Sequence, residues 1–86
     1  MSEYQIELKP SARRSLAKLP KSIQKRIGQK IDSLASDPLP SGAKKLIGSK
    51  NTYRVRVGNY RILYDLYQDK LLILVVGVGH RRNIYR

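Results

Sequence analysis

The sequence of 86 residues carries 18 Lys and Arg against six Asp and Glu, a formal net charge of +12, with one histidine and no cysteine. The length suits one domain spanning residues 1–86 with a single modest core, and the charge favours a polyanionic partner, with nucleic acid ahead of an acidic protein or an anionic membrane. Disulfides, thiolate metal sites and sites built on several imidazoles are excluded, and we expect neither a metal nor a cofactor.

The N-terminal half predicts one strand followed by two helices. Residues 4–9 alternate apolar and polar side chains, which is typical of a half-buried strand. Pro10 can open a helix, and Pro20 would end it. A second helix fits Lys21 to Ser36, with an apolar stripe formed by Ile23, Ile27, Ile31 and Leu34. The basic residues off this stripe are interpreted as a solvated outer face ahead of specific binding: Lys21, Lys25, Arg26 and Lys30.

The C-terminal half predicts three strands. A loop at residues 37–42, rich in proline, serine and glycine, leads from the helices to the sheet. Thr52 to Val57 and Tyr60 to Tyr67 flank the turn dipeptide Gly58-Asn59 and form a β-hairpin. After a second turn at residues 68–69, Lys70 to Val78 is apolar on both faces, as expected of an internal strand. The order βααβββ predicts an α+β fold, with two N-terminal helices packed on a mainly antiparallel four-stranded sheet.

The N-terminus lacks the layout of a signal peptide, in which a charged segment precedes an apolar one. The longest apolar run, Leu71 to Val76, is far too short to span a bilayer. We therefore expect a cytoplasmic protein.

The hairpin places like charges face to face. A two-residue turn pairs Val57 with Tyr60, so that Arg56 lies opposite Arg61 and Arg54 shares their face. Opposed like charges destabilise a sheet, so folding gives no reason for this arrangement, and we expect an anion to bind there. The alternative is a solvated face whose arginines serve solubility.

The tail GVGHRRNIYR closes the chain, and its His80, Arg81 and Arg82 follow one another where the last strand ends. Simple alternation puts His80 on the Arg61 side of the sheet and Arg81 on the other side. A bulge near Gly79 would shift this phase.

The sequence YRVRVGNYRILYDLY, followed by a short turn and LLILVVGVGHRRNIYR, resembles the RelE/ParE superfamily of bacterial toxin-antitoxin modules, and its RelE branch most closely. The similarity covers nearly the whole chain. RelE-like toxins are ribosome-dependent ribonucleases that cut mRNA in the ribosomal A site, and an acidic antitoxin neutralises them by wrapping around the toxin. The resemblance therefore implies a RelE-like fold, an acidic RelB-like antitoxin as partner, and the ribosome with A-site mRNA as target.

The resemblance also implies roles for individual residues. It puts mRNA-contacting residues at Arg54 and Arg56, catalytic arginines at Arg61 and Arg81, and a catalytic tyrosine at Tyr85. His80 and Arg82 are further candidates for contact with RNA. No acidic residue stands where related YoeB-like toxins use a glutamate and histidine pair, so we expect slow cleavage of free RNA.

The chemistry of metal-independent RNA cleavage suits these residue types. A 2′-hydroxyl attacks the neighbouring phosphate, and the resulting phosphorane requires charge stabilisation, a proton acceptor and a proton donor. Arg61 and Arg81 suit the first role because a guanidinium offers fixed donors matched to phosphate oxygens. Arginine is a poor base, so proton transfer falls to His80, to Tyr85 or to positioning within the ribosome.

Two alternative functions are compatible with the same sequence features. A ParE-like inhibitor of DNA gyrase would share the fold and would act by binding protein. A basic RNA-binding module without catalysis would bind RNA with an affinity that falls with salt, and it would leave the RNA intact.

Overall fold

The computed structural model describes residues 3–80. Its elements are strand β1 (Gln5–Leu8), helices α1 (Pro10–Ala17) and α2 (Lys21–Leu34), and strands β2 (Lys44–Lys45), β3 (Thr52–Val57), β4 (Tyr60–Tyr67) and β5 (Leu72–His80). The strands form one sheet in the order β1, β5, β4, β3, β2. Strand β1 runs parallel to β5, and every other pair of neighbours is antiparallel. Neither described helix is long and apolar enough to cross a membrane.

This architecture confirms the α+β prediction, with two helices packed on a sheet, but the sheet is mixed and has five strands rather than four. The strand that the sequence did not reveal is β2, whose two lysines are both exposed. Strand β5 also begins at Leu72 rather than at Lys70, because Leu71 adopts a φ of +52° and belongs to the preceding turn. The prediction that this strand is internal is confirmed, since β5 lies between β1 and β4.

The core lies between the two helices and one face of the sheet. Helix α2 buries Ile27, Ile31 and Leu34 of its predicted stripe, while Ile23 packs at the margin. The sheet supplies alternate residues of β3, β4 and β5 to the same cluster: Val55, Ile62, Tyr64, Leu66, Ile73, Val75 and Val78. Because successive side chains of a strand point to opposite faces, the residues between these project away from both described helices. We call this second surface the open face.

The hairpin adopts the predicted register. Val57 lies opposite Tyr60, and Arg56 lies opposite Arg61. Gly58 has a φ of +60°, whereas Asn59 keeps a negative φ, and this combination is that of a type II′ turn with glycine at its first central position. The turn therefore sets which hairpin residues face the core and which reach the open face.

Tyr64 anchors the centre of the core. Its side chain is fully buried, and its hydroxyl donates a hydrogen bond of 2.7 Å to the carbonyl oxygen of Pro38, in the loop that follows α2. Burial raises the pKa of Tyr64 from 10.0 to about 12, with smaller contributions from Tyr53 and Asp37. The folded protein therefore holds this phenol in its neutral form.

The Tyr64→Phe variant is expected to lose less stability than the wild type does when the pH is raised into the alkaline range. Folding raises the pKa of Tyr64 from 10.0 to about 12. The neutral phenol therefore adds to the free energy of unfolding below pH 10.0, and this stabilisation is lost as the pH rises through about 12. The variant lacks this loss, although it starts roughly 1 kcal/mol lower at neutral pH without the bond to Pro38. Urea unfolding between about pH 8 and about pH 11 measures both effects. A stability difference that stays constant over this range would contradict the prediction.

Candidate functional site

Four basic side chains share the open face where β2, β3 and β4 run side by side. Arg56 lies opposite Arg61, and Lys44 lies opposite Arg54. Directly opposed residues lie on the same face of a sheet, and opposed like charges destabilise it. Two such pairs next to each other do not serve stability, but they suit the binding of an anion. We call these four residues the basic row.

Lys44 is the member of the basic row that sequence reasoning missed. A two-residue strand shows no periodicity, so only its pairing with Arg54 reveals that Lys44 reaches the open face. The adjacent Lys45 lies opposite Tyr53 and therefore belongs to the other face. The pair of lysines at residues 44–45 was the available signal, without an indication of which one mattered.

Burial differs along the basic row. Lys44 and Arg56 are exposed, while Arg54 and Arg61 are half-buried, and the Nε atom of Arg61 is shielded from solvent. A half-buried guanidinium has less side-chain freedom to lose when it binds a ligand. Arg61 is therefore the most restrained cation of the hairpin, which suits a role that requires fixed geometry.

A β-bulge in β5 shapes the surface beside Arg61. Leu63 lies opposite Gly77, whereas the next residue of β4, Tyr64, lies opposite Val75, so that one residue of β5 is extra. Beyond this bulge Gly79 lies opposite Arg61. Two glycines thus occupy the open-face positions of β5 next to Leu63 and Arg61. A ligand can approach the backbone closely where a strand carries glycine.

The same bulge decides the position of His80, which the sequence left open. Simple alternation placed His80 on the Arg61 side, but His80 lies opposite Tyr60. The two rings make an edge contact with centroids 5.6 Å apart, on the face that also carries the buried Ile62 and Val78. The extra residue in β5 reverses which face each later side chain of this strand points to. His80 and Arg61 therefore lie on opposite faces of the sheet.

Asp65, one of the acidic side chains on the open face, is held by its neighbours. Asp65 accepts a hydrogen bond of 2.6 Å from Thr52 Oγ1 and one of 3.3 Å from the Tyr67 hydroxyl. The Asp65 carboxylate raises the pKa of Tyr67, with smaller contributions from desolvation and this hydrogen bond. Asp65 is four residues from Arg61 along β4, roughly 13 Å at the rise of a strand. It therefore bridges β3 and β4 away from the basic row.

Three predicted site residues, Arg81, Arg82 and Tyr85, lie outside the described residues. Of the others, the structure brings Arg54, Arg56 and Arg61 together on the open face and separates His80 from them.

Residues 6–85 match the family described as the ParE toxin of the type II toxin-antitoxin system parDE. The chain belongs to the RelE/ParE superfamily of toxins. This toxin is 37% identical over 76 residues to Toxin RelE3 of Methanocaldococcus jannaschii, an alignment that covers 84% of each chain.

Two solved structures show the same fold as this toxin. The toxin-antitoxin complex RelBE2 of Mycobacterium tuberculosis contains a chain that is 30% identical, with a TM-score of 0.82 and coverage of 92% of this chain and 99% of that one. The archaeal RelE-RelB complex of Pyrococcus horikoshii contains one that is 26% identical, with a TM-score of 0.82 and coverage of 96% and 99%. The protein is therefore a RelE-family toxin of a type II toxin-antitoxin system, as its sequence motifs predicted.

Proposed function

We propose that this toxin is a ribosome-dependent endoribonuclease that cleaves mRNA in the ribosomal A site and so inhibits translation. The observation that carries the proposal is the basic row, which presents Lys44, Arg54, Arg56 and Arg61 on one open face. The similarity to RelE toxins supports the same function. In this proposal residues 1–86 form a single toxin domain that acts in the cytoplasm.

Cleavage proceeds without a metal. The 2′-oxygen attacks the neighbouring phosphorus while the bond from phosphorus to the 5′-oxygen breaks, which leaves a 2′,3′-cyclic phosphate and a 5′-hydroxyl. The proton of the 2′-hydroxyl passes to an acceptor, and the leaving 5′-oxygen takes up a proton. Negative charge builds on the non-bridging oxygens of the phosphorane, where fixed donors stabilise the transition state more than the ground state.

The residues of the basic row divide this work between binding the strand and stabilising the transition state. Arg54, Arg56 and Lys44 bind neighbouring phosphates of the mRNA and position the strand. The restrained Arg61 donates to the non-bridging oxygens, beside the glycines of β5 that let the phosphate approach. The first three cations attract and position the strand, and Arg61, whose Nε atom is shielded from solvent, supplies fixed geometry.

The C-terminal residues complete the proposed site by resemblance to the family. Arg81 is the second arginine that stabilises the transition state, Tyr85 orients or exchanges protons, and Arg82 contacts RNA. His80 is also proposed to contact RNA, at the end of β5. It is not proposed as the base at the scissile phosphate, because it lies on the opposite face from Arg61.

The proposed partners are an acidic RelB-like antitoxin and the ribosome carrying mRNA in its A site. A formal net charge of +12 favours an acidic protein partner through complementary charge. The archaeal RelE-RelB complex shows a relative of this toxin bound to RelB.

Primer extension on an mRNA programmed into ribosomes tests the proposal. Purified toxin is expected to produce cuts within A-site codons when ribosomes are present, and far fewer cuts on the same RNA alone. Dependence on the ribosome is expected because the described site offers no acid-base pair beside Arg61. Folded toxin that yields no cuts in either reaction would contradict the proposed activity.

Inhibition of DNA gyrase is the second candidate function, because the matching family is described by the name of the ParE toxin. A gyrase inhibitor would block supercoiling of plasmid DNA by purified gyrase and would leave mRNA intact on ribosomes. We expect the reverse of both results. A third outcome, RNA binding without cleavage, would indicate a module whose catalysis is lost.

A further inference from the structure

A second basic surface lies outside the basic row, in a cleft between α2 and the hairpin. Helix α2 lines it with Arg26, Gln29, Lys30 and Ser33, and the hairpin lines it with Arg56, Val57 and Gly58. Three of these seven residues are cations, and no acidic residue of the described chain lines the cleft. Sequence patterning had assigned Arg26 and Lys30 to a solvated face, together with Lys21 and Lys25.

The α2 residues of the cleft form one stripe of the helix. Positions 26, 29, 30 and 33 follow the spacing of neighbours on a helical surface, beside the buried stripe at positions 27, 31 and 34. Arg26 and Lys30 are four residues apart, and like charges at this spacing destabilise a helix by about 0.2 to 0.5 kcal/mol. Lys30 is also half-buried, whereas Lys21 and Lys25 are exposed. Lys21 and Lys25 have the same spacing, so the half-burial of Lys30 and the place of Arg26 and Lys30 in the cleft distinguish this pair from them.

The guanidinium of Arg26 rests on the hairpin turn. A Cβ atom built on Gly58 would lie 3.5 Å from Nη2 and 3.6 Å from Nη1 of Arg26. The charge of α2 is thus brought to the turn that connects the strands of Arg56 and Arg61. Since Arg56 belongs to the basic row and also lines the cleft, the two basic surfaces are continuous around the end of β3.

We infer that this cleft binds a phosphate of an RNA strand that continues from the basic row around the hairpin end to α2. Arg26 and Lys30 supply the charge, and the side chains of Gln29 and Ser33 add hydrogen-bonding groups. The inference rests on the proposed function in taking RNA as the anion, and it adds a binding site on the helical side of the sheet.

The lining favours RNA over an acidic protein segment. A protein segment that docks stably buries apolar anchors, and Val57 is the one apolar side chain among the seven lining residues. Binding of nucleic acid depends on cations spaced along a backbone, with hydrogen-bonding groups between them. The cleft has that composition.

Binding of an RNA that cannot be cleaved tests the inference separately from catalysis. The probe is a fluorescent oligouridylate of about 12 nucleotides in which every 2′-hydroxyl is methylated, titrated with toxin at several salt concentrations. The variant is Arg26→Gln/Lys30→Gln, and the matched control is Lys21→Gln/Lys25→Gln, which removes the same charge from the same helix. Thermal unfolding checks that both variants are folded. A third variant, Arg26→Lys, keeps the positive charge at position 26 and shows whether charge alone is sufficient for binding.

The cleft variant is expected to bind roughly tenfold more weakly than wild type. Its plot of log affinity against log salt should be shallower by about 0.7, because each neutralised single-strand phosphate adds about 0.7 to the slope and the cleft binds one phosphate. The control should keep most of the wild-type affinity and slope. Equal losses in both variants would mean that overall charge acts at a distance, and they would overturn the inference.

Wild-type binding in the cleft variant would overturn it as well. A cleft variant that also bound its cognate antitoxin more weakly would then assign the cleft to a protein segment. Cleavage on ribosomes is a separate measurement, so failure of the nuclease proposal and failure of the cleft are distinguished.

Discussion

Arg61→Ala should lower ribosome-dependent mRNA cleavage by about 10²- to 10³-fold, the usual consequence of removing one donor from a developing oxyanion. Arg61 is a half-buried cation of the hairpin whose Nε atom is shielded from solvent, and Gly79 of β5 lies opposite it. Its loss removes stabilisation of the phosphorane, while the exposed cations Lys44 and Arg56 still attract the mRNA. The rate of A-site cleavage at saturating toxin measures the effect.

Two further variants make the Arg61 result specific. Arg61→Lys keeps the charge but loses the planar array of donors, so it should fall between wild type and alanine. Arg13→Ala removes an equal charge from the exposed surface of α1 and should cleave nearly as fast as wild type. If Arg61→Ala cleaved at the rate of Arg13→Ala, the assignment of Arg61 would be wrong.

Ile62→Ala should destabilise the toxin by about 2 to 5 kcal/mol. Ile62 is 0% exposed and lies between Val55 of β3 and Val78 of β5, so its truncation leaves a cavity at the centre of the sheet. Natural domains have a stability of about 5 to 15 kcal/mol, and this loss is a large fraction of it. Urea unfolding should show a lower midpoint with an unchanged slope.

Ile47 provides a matched control for Ile62. Its side chain is 104% exposed, so Ile47→Ala removes the same atoms without opening a cavity and should change stability by less than about 0.5 kcal/mol. Equal effects of the two alanine variants would mean that the face assignment of the hairpin is wrong. Two neighbouring residues of β4 thus have different roles, since Arg61 is expected to affect cleavage and Ile62 to affect stability.

Local patterns predicted most of this fold. The two prolines bound α1, the apolar stripe of α2 identified its buried face, and the Gly58-Asn59 turn placed Arg56 opposite Arg61. Each of these features depends on residues close together in the chain, where propensity, periodicity and turn geometry act. The family resemblance, carried by the hairpin and the tail, was confirmed by the match of residues 6–85 to the ParE toxin family.

The sequence by itself determined the hairpin register, and with it the three arginines of the open face. Only the tertiary structure placed Lys44 in the basic row, moved His80 to the opposite face and brought Arg26 to the hairpin turn. Those three features depend on contacts between residues distant in the chain. A two-residue strand and a one-residue bulge have no period of their own, and a cleft exists only once two elements pack.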